Sequence, residues 1–122
     1  METGSMTPEQ RLVAFQKLVL AGPDDPFRRY ALAMHLRGMG RLDEAVQAFT
    51  ALATRSPDYI PTWLMLGQTL EAAGRDGEAA RAYQDGMAAA SRKPDLHARG
   101  ELEAALEALR SRSPEHAGRG AP

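Results

Sequence analysis

Residues of the same kind recur 34 positions apart through the middle of this chain, all in one register. Gly40 and Gly74 show the interval most plainly. The other matched pairs are Leu32 with Leu66, Ala33 with Gly67, Leu36 with Leu70, Glu44 with Glu78, and Ala45 with Ala79. Three series extend one period towards the N-terminus: Ala14, Ala48 and Ala82; Phe15, Phe49 and Tyr83; and Pro23 with Pro57. Such a period indicates stacked copies of one supersecondary unit.

The segments between the prolines and glycines are predicted to be α-helices. Ala, Leu and Glu are abundant while Val, Ile and Thr are sparse, which favours helix over sheet. Thr7 and Gln10 form a capping-box pattern, and Asp76 is the expected N-cap of the fifth helix. The predicted helices cover about 8–21, 26–39, 42–55, 58–73, 77–91 and 95–111.

Each unit contains two antiparallel helices, and its recurring residues suit close packing between them. Neither helix can bury its apolar face alone. Small residues let the two helices approach, and an aromatic residue fills the gap to the next unit. These positions hold Ala33 or Gly67 on the first helix, and Ala45 or Ala79 followed by Phe49 or Tyr83 on the second. Gly40 and Gly74 permit the positive φ that helix ends often require, and Pro57 ends the first unit.

These motifs resemble the tetratricopeptide repeat (TPR) family, in particular its small stand-alone bacterial members. The matching residues are Leu32, Ala33, Gly40, Ala45, Phe49 and Pro57 in the first unit, and Trp63, Leu66, Gly67, Gly74, Ala79 and Tyr83 in the second. The first unit departs from the family pattern at Arg29, where an aromatic residue is preferred. The second unit has Ser91 where proline is expected and Pro94 three residues later, so its last helix should be about one turn longer.

The resemblance implies an all-α fold, a right-handed helix-turn-helix solenoid within residues 7–112. Its two full repeats would cover about 26–59 and 60–93, preceded by a half-repeat helix. The last helix, about 95–111, has no repeat signature, and its Leu102, Leu106 and Leu109 suit a helix that caps the stack. We expect residues 1–6 to be an artificial or disordered remnant and residues 113–122 to be a disordered tail.

No catalytic, metal or cofactor site is predicted. The absence of cysteine excludes disulfides, thiolate zinc sites and a cysteine nucleophile. His97 and Glu101 have the i, i+4 spacing of a metal-binding pair, but surface charge patterning explains them better. His35 stands alone on its helix, and no Ser/His/Asp or paired-carboxylate arrangement is visible. We therefore expect a protein that is not an enzyme and needs no cofactor.

The charge and hydropathy of the chain disfavour two classes of partner. The net charge of -1 predicts no attraction to nucleic acid. No apolar run approaches the roughly 20 residues that a membrane span needs. Residues 1–6 also lack the pattern of a signal peptide, so cytoplasmic localisation is expected.

The TPR resemblance implies protein binding. Members of the family usually bind extended or helical segments on a concave face that the first helix of each unit lines. By register, this groove would be lined by Phe27, Tyr30, Met34, Arg37, Leu64, Met65, Gln68 and Glu71. Tyr30, Met34 and Met65 stand where the carboxylate-clamping members have polar or basic side chains, so such a clamp is disfavoured. The expected function is an adaptor or scaffold for an apolar or amphipathic protein segment.

Alternatives to this prediction remain open at the sequence level. In the alternative interpretation, three of these residues belong to the core, because an apolar stripe on a helix usually packs against other helices. They are Phe27, Tyr30 and Leu64. The module could also form a homo-oligomer through the groove or the ends of the stack. Four arginines lack acidic neighbours in their own helix and favour either an acidic partner or a solvated basic face. They are Arg28, Arg29, Arg37 and Arg41.

Overall fold

A computed structural model describes residues 4–112, and within them every regular element is an α-helix. The helices are α1 (Pro8–Ala21), α2 (Pro26–Gly38), α3 (Leu42–Arg55), α4 (Pro61–Ala72), α5 (Asp76–Arg92) and α6 (Leu96–Arg112). Each helix packs against the next one along the chain, and α4 also contacts α6. The expected all-α solenoid is thus confirmed. The predicted disorder of residues 1–3 and 113–122 falls outside the described residues.

The first two helices begin at residues that satisfy their free amide groups. The Thr7 hydroxyl accepts a hydrogen bond from the backbone N–H of Gln10 at 3.1 Å, and the Gln10 side chain accepts from the backbone N–H of Thr7 at 2.9 Å. This is the predicted capping box. Asp25 accepts from the backbone N–H of Phe27 at 2.9 Å, so α2 begins at Pro26.

The helix α5 begins in a different way from the one predicted, and α3 begins in the same way as α5. Arg75, not Asp76, stands at the N-cap of α5, and Asp76 is the first helical residue, where its charge suits the helix dipole. The guanidinium of Arg75 pairs with Glu78 at 2.7 Å. Arg41 pairs with Glu44 at the same distance at the start of α3. Equivalent ion pairs therefore mark the start of the second helix in both units.

The turns inside the two units require glycine. Gly40 has a φ of 78° and Gly74 a φ of 77°, a conformation that side chains with a Cβ rarely adopt. The turn between the units is longer than predicted, because the Ser56 carbonyl accepts the Tyr59 N–H at 3.0 Å and α4 begins only at Pro61.

The recurring small and aromatic residues are fully buried between the helices. Ala33, Ala45, Ala79, Phe49 and Tyr83 have no solvent-exposed area. An added Cβ at Gly67 would lie 2.1 Å from Cε1 of Tyr83, well inside van der Waals contact. The pairing of small and aromatic residues thus determines how closely the paired helices approach.

The last helix covers the end of the stack. Leu102, Leu106 and Leu109 are buried in the same core as Tyr83. A second close contact, which the sequence analysis missed, lies at Gly86 on α5. A Cβ there would stand 2.5 Å from Cβ of Trp63 and 3.1 Å from Cδ1 of Leu102. The helix α5 has 17 residues against 14 in α3, so its predicted extra turn is present.

Candidate functional site: a pocket across α2, α4 and α6

A pocket of about 270 Å³ lies where α2, α4 and α6 meet. We call it the groove pocket, and its lining residues are Tyr30, Ile60, Pro61, Leu64, Met65, Asp95, His97, Ala98, Glu101 and Leu102. Three of the predicted groove residues, Tyr30, Leu64 and Met65, are brought together here. All three are only partly buried and pack against the core, so they combine a structural role with an accessible apolar surface.

Tyr30 is held in place by two aromatic neighbours. Its ring meets Phe49 edge-on at a centroid distance of 6.0 Å and Tyr59 at 5.7 Å. Burial raises the pKa of the Tyr30 phenol, and the nearby phenol of Tyr59 adds to the rise. The neutral phenol can therefore donate a hydrogen bond at the rim of the pocket.

Arg37 connects the first helices of the two units beside the pocket. Its guanidinium donates to the sulfur of Met65 at 3.7 Å and to Oε1 of Gln68 at 3.4 Å. The predicted groove residues Arg37, Met65 and Gln68 therefore form one connected group. This group restrains the Met65 side chain, which is otherwise flexible.

Glu71 was predicted to line the groove, but in the structure it has a structural role outside the pocket lining. It accepts hydrogen bonds from the buried Tyr83 hydroxyl and from Arg112 at the end of α6. Burial raises the pKa of Tyr83 far above its ordinary value, and the hydrogen bond to Glu71 adds to the rise. Both partners of Glu71 come from the helices that follow it, so this carboxylate links α4 to α5 and α6.

Phe27 and Met34 lie outside the pocket lining. Phe27 is 64% exposed and extends the apolar stripe of α2 towards its N-terminus. Met34 is partly buried and packs against the main core. The alternative interpretation of Phe27 as a core residue is therefore wrong.

A sequence model of the tetratricopeptide repeat matches residues 36–98, just over half of the chain. The chain belongs to the tetratricopeptide repeat family. A TPR repeat-containing protein of Pseudomonas aeruginosa is 27% identical over 94 residues, covering 77% of this chain and 90% of the relative.

Solved structures also match the fold. A tetratricopeptide repeat domain protein of Salinibacter ruber is 30% identical with a TM-score of 0.67, over 71% of this chain and 97% of that chain. PcrH, solved in complex with the chaperone binding region of PopD, has a TM-score of 0.77 at 18% identity, over 87% of this chain and 80% of that chain. At that identity the likeness to PcrH shows the fold alone.

The TPR architecture explains why α6 lines the pocket. The helices α2, α4 and α6 begin at Pro26, Pro61 and Leu96, at equal intervals of 35 residues. The last helix therefore occupies the place of the first helix in a third TPR unit, although its residues do not match the repeat pattern. Its contribution to the groove was missed in the sequence analysis, because the predicted helix starts at about 26, 58 and 95 are not equally spaced.

Four arginines made an acidic partner one possibility for this TPR chain. Three of them form bonds with other parts of the fold. Arg28 pairs with Asp25 at 3.3 Å, and Arg41 pairs with Glu9 at 3.3 Å as well as with Glu44. Arg29 donates to the carbonyl of Pro23 at 2.7 Å. Arg37 alone of the four lies beside the TPR groove pocket, so the support for an acidic partner is reduced to this residue.

The described part of this TPR chain has no cluster of three metal-binding side chains. His97 and Glu101 are 3.7 Å apart, and His97 is 88% exposed, as expected for a surface pair. None of the helices in residues 4–112 is long and apolar enough to span a membrane.

Proposed function

We propose that this TPR protein is a non-catalytic adaptor that holds an apolar or amphipathic segment of another protein in the groove pocket. The observation that carries the proposal is the apolar surface that three successive first helices leave accessible in one place. Tyr30, Leu64 and Met65 face this pocket together with Ala98 of α6. Burial of such surface on binding is worth roughly 25 cal/mol per Å², which makes an apolar side chain the best occupant.

The groove pocket is preorganised for binding. Aromatic contacts hold Tyr30, and Arg37 restrains Met65. A site whose side chains are already ordered loses less entropy when a partner binds. The structural neighbour PcrH binds a segment of PopD, which supports a segment of another protein as the type of ligand.

The proposal is tested by replacing Met65 with the similarly sized but polar glutamine. Met65→Gln should weaken partner capture, because the amide must be desolvated against an apolar side chain, at a cost of about 1–3 kcal/mol. The fold should persist, because Arg37 already donates to the amide of Gln68 and can do the same at position 65. Capture from a lysate of the source cell is measured by quantitative mass spectrometry, and stability by thermal melting.

Met39→Gln is the matched control for this substitution. Met39 is also partly buried against the core but does not line the groove pocket. The Met39→Gln variant should therefore retain the captured proteins. Equal loss of the same proteins from both variants would show that the groove pocket does not bind them.

Self-association is a second candidate function, and the first helix carries the observation that favours it. Leu20 of α1 is 80% exposed, and Val13 and Leu18 are 48% and 46% exposed. No described helix precedes α1 to cover these side chains, and a second copy of the chain could do so. Light scattering of the purified protein separates the candidates, because a defined dimer that Leu20→Lys disrupts would favour self-association.

A further inference from the structure

The rim of the groove pocket carries negative charge. Asp95 and Glu101 both line the pocket, and their carboxylates stand at its α6 side. One oxygen of Asp95 accepts the Ala98 N–H at 3.0 Å, which leaves its second oxygen for another donor. Glu101 is half-exposed, and its one described partner is His97 at 3.7 Å.

Arg37 lies beside the pocket at its α2 side, where its guanidinium donates to Met65. Among the described residues, those that line the pocket include neither lysine nor arginine. The helices α4 and α6 begin beside it, and each N-terminus acts as roughly half a positive charge. Together these amount to about one positive charge against two carboxylates, and the Asp95 carboxylate already caps α6. Negative charge is therefore concentrated at the α6 side of the rim, and Arg37 contributes positive charge at the α2 side.

The apolar part of the pocket lining, which we call its floor, encloses enough volume for one large side chain. Ile60 and Leu102 form buried walls, and Leu64 and Met65 complete the floor. A cavity of roughly 150 Å³ already accommodates a benzene ring, so a pocket of about 270 Å³ accommodates a leucine or phenylalanine side chain. The apolar floor and the acidic rim lie within one site.

We infer that the preferred partner is a basic amphipathic protein segment, in which a large apolar side chain is flanked by lysine or arginine. This inference rests on the proposed function and specifies the chemistry of the segment that the groove pocket holds. The apolar side chain enters the pocket, and the neighbouring cations pair with Asp95 and Glu101. This partner is opposite in charge to the acidic one, which was one of the two interpretations that the sequence left open for Arg28, Arg29, Arg37 and Arg41.

Three synthetic peptides test the inference on the intact protein. All have a central leucine, which is flanked by lysines in the first, glutamines in the second and glutamates in the third. Binding is followed by NMR titration of isotope-labelled protein, with the Met65 and Ala98 methyl groups as reporters of the pocket. Two partly exposed ion pairs of about 0.2–1 kcal/mol each predict that the lysine peptide binds roughly twofold to thirtyfold more tightly than the glutamine peptide. The glutamate peptide should bind most weakly.

Glu101 and Glu103 provide a matched pair of variants on α6. Both glutamates are about half-exposed and each pairs with a basic residue four positions earlier, His97 or Arg99. Only Glu101 lines the groove pocket. Glu101→Gln should reduce the preference for lysine by a factor of up to about five, whereas Glu103→Gln should leave it unchanged.

The outcomes separate the inference from the proposed function. Equal affinity for the three leucine peptides, or equal effects of the two variants, overturns the inference and leaves groove binding intact. Tighter binding of the glutamate peptide overturns it as well. If none of the peptides shifts the pocket methyl groups at millimolar concentration, both the inference and the proposed function are wrong.

Discussion

The two full units, α2–α3 and α4–α5, share one plan but pack their central contact differently. The first unit places Ala33 and Phe49 at the small and aromatic positions, and the second places Gly67 and Tyr83 there. The Tyr83 ring occupies the space that a Cβ at position 67 would need. Loss of the Cβ lets the ring sit deeper, and its hydroxyl can then reach Glu71.

A second difference lies one turn further along the first helix of each unit. Position 37 is an arginine that donates to uncharged side chains of the next unit, while the equivalent position 71 is a glutamate. Glu71 accepts from Tyr83 and from Arg112 of α6. Glu71 therefore links the two helices of the second unit to each other and to α6. The stability of this unit should depend more strongly on single residues.

Removal of α6 should have the largest effect, because the second unit depends on this helix. A chain that ends after Lys93 lacks Leu102, Leu106 and Leu109, all of them buried. Each buried leucine contributes roughly 1.5–3 kcal/mol, so the combined loss is comparable to the whole stability of a small domain. We expect aggregation or a much lower melting temperature by circular dichroism. A truncated chain that melts like the parent would contradict the capping role.

Gly67→Ala should have a smaller effect than this truncation. The added Cβ would overlap the Tyr83 ring, and overpacking of this kind costs about 1–3 kcal/mol. Gly100→Ala on α6 is the control, because its Cβ would meet no atom within 4 Å. That control should gain up to about 1 kcal/mol from better helix propensity. Urea unfolding measures both, and equal stability of the two variants would mean that close approach at Gly67 is unimportant.

Tyr83→Phe should convert the central contact of the second unit into that of the first. It removes the hydrogen bond to Glu71 and leaves the ring in place. Loss of a bond to a charged group costs roughly 1.5–3 kcal/mol. Tyr59→Phe is the comparison, since the Tyr59 hydroxyl makes no hydrogen bond to the described residues while its ring contacts Tyr30. If both variants lose the same free energy of unfolding, the bond to Glu71 contributes nothing specific.

The smallest predicted effect concerns the difference in stability between the parent and Tyr83→Phe, which should decrease at alkaline pH. The folded state raises the pKa of Tyr83, so the phenol stays protonated in the fold while the unfolded chain ionises near its ordinary pKa of about 10. The stability that Tyr83 contributes is complete below that pH and is lost as the pH rises above it. The gap between parent and Tyr83→Phe should narrow above pH 10 in urea titrations. A constant gap would indicate that the phenol is not held neutral by the fold.

Much of the fold could be predicted from the sequence, because its signals are local or periodic. Thr7 and the turn glycines Gly40 and Gly74 act within a few residues of themselves, so their roles follow from residue type and spacing. The interval of 34 residues related the buried small and aromatic positions across the units without any knowledge of distances. These predictions are confirmed by the structure, apart from shifts at the starts of α4 and α5.

The candidate site was only partly predictable, because a helical stripe does not reveal which neighbour covers it. Register identified Tyr30, Leu64 and Met65 as residues on one face, but the tertiary structure alone placed α6 against them. The same packing bonded Glu71 to Tyr83 and Arg112, which lie 12 and 41 residues further along the chain. The sequence by itself determined the helices and their repeat, since those depend on short-range interactions. The shape and charge of the pocket depend on side chains that are far apart in the chain, and only tertiary packing brought them together.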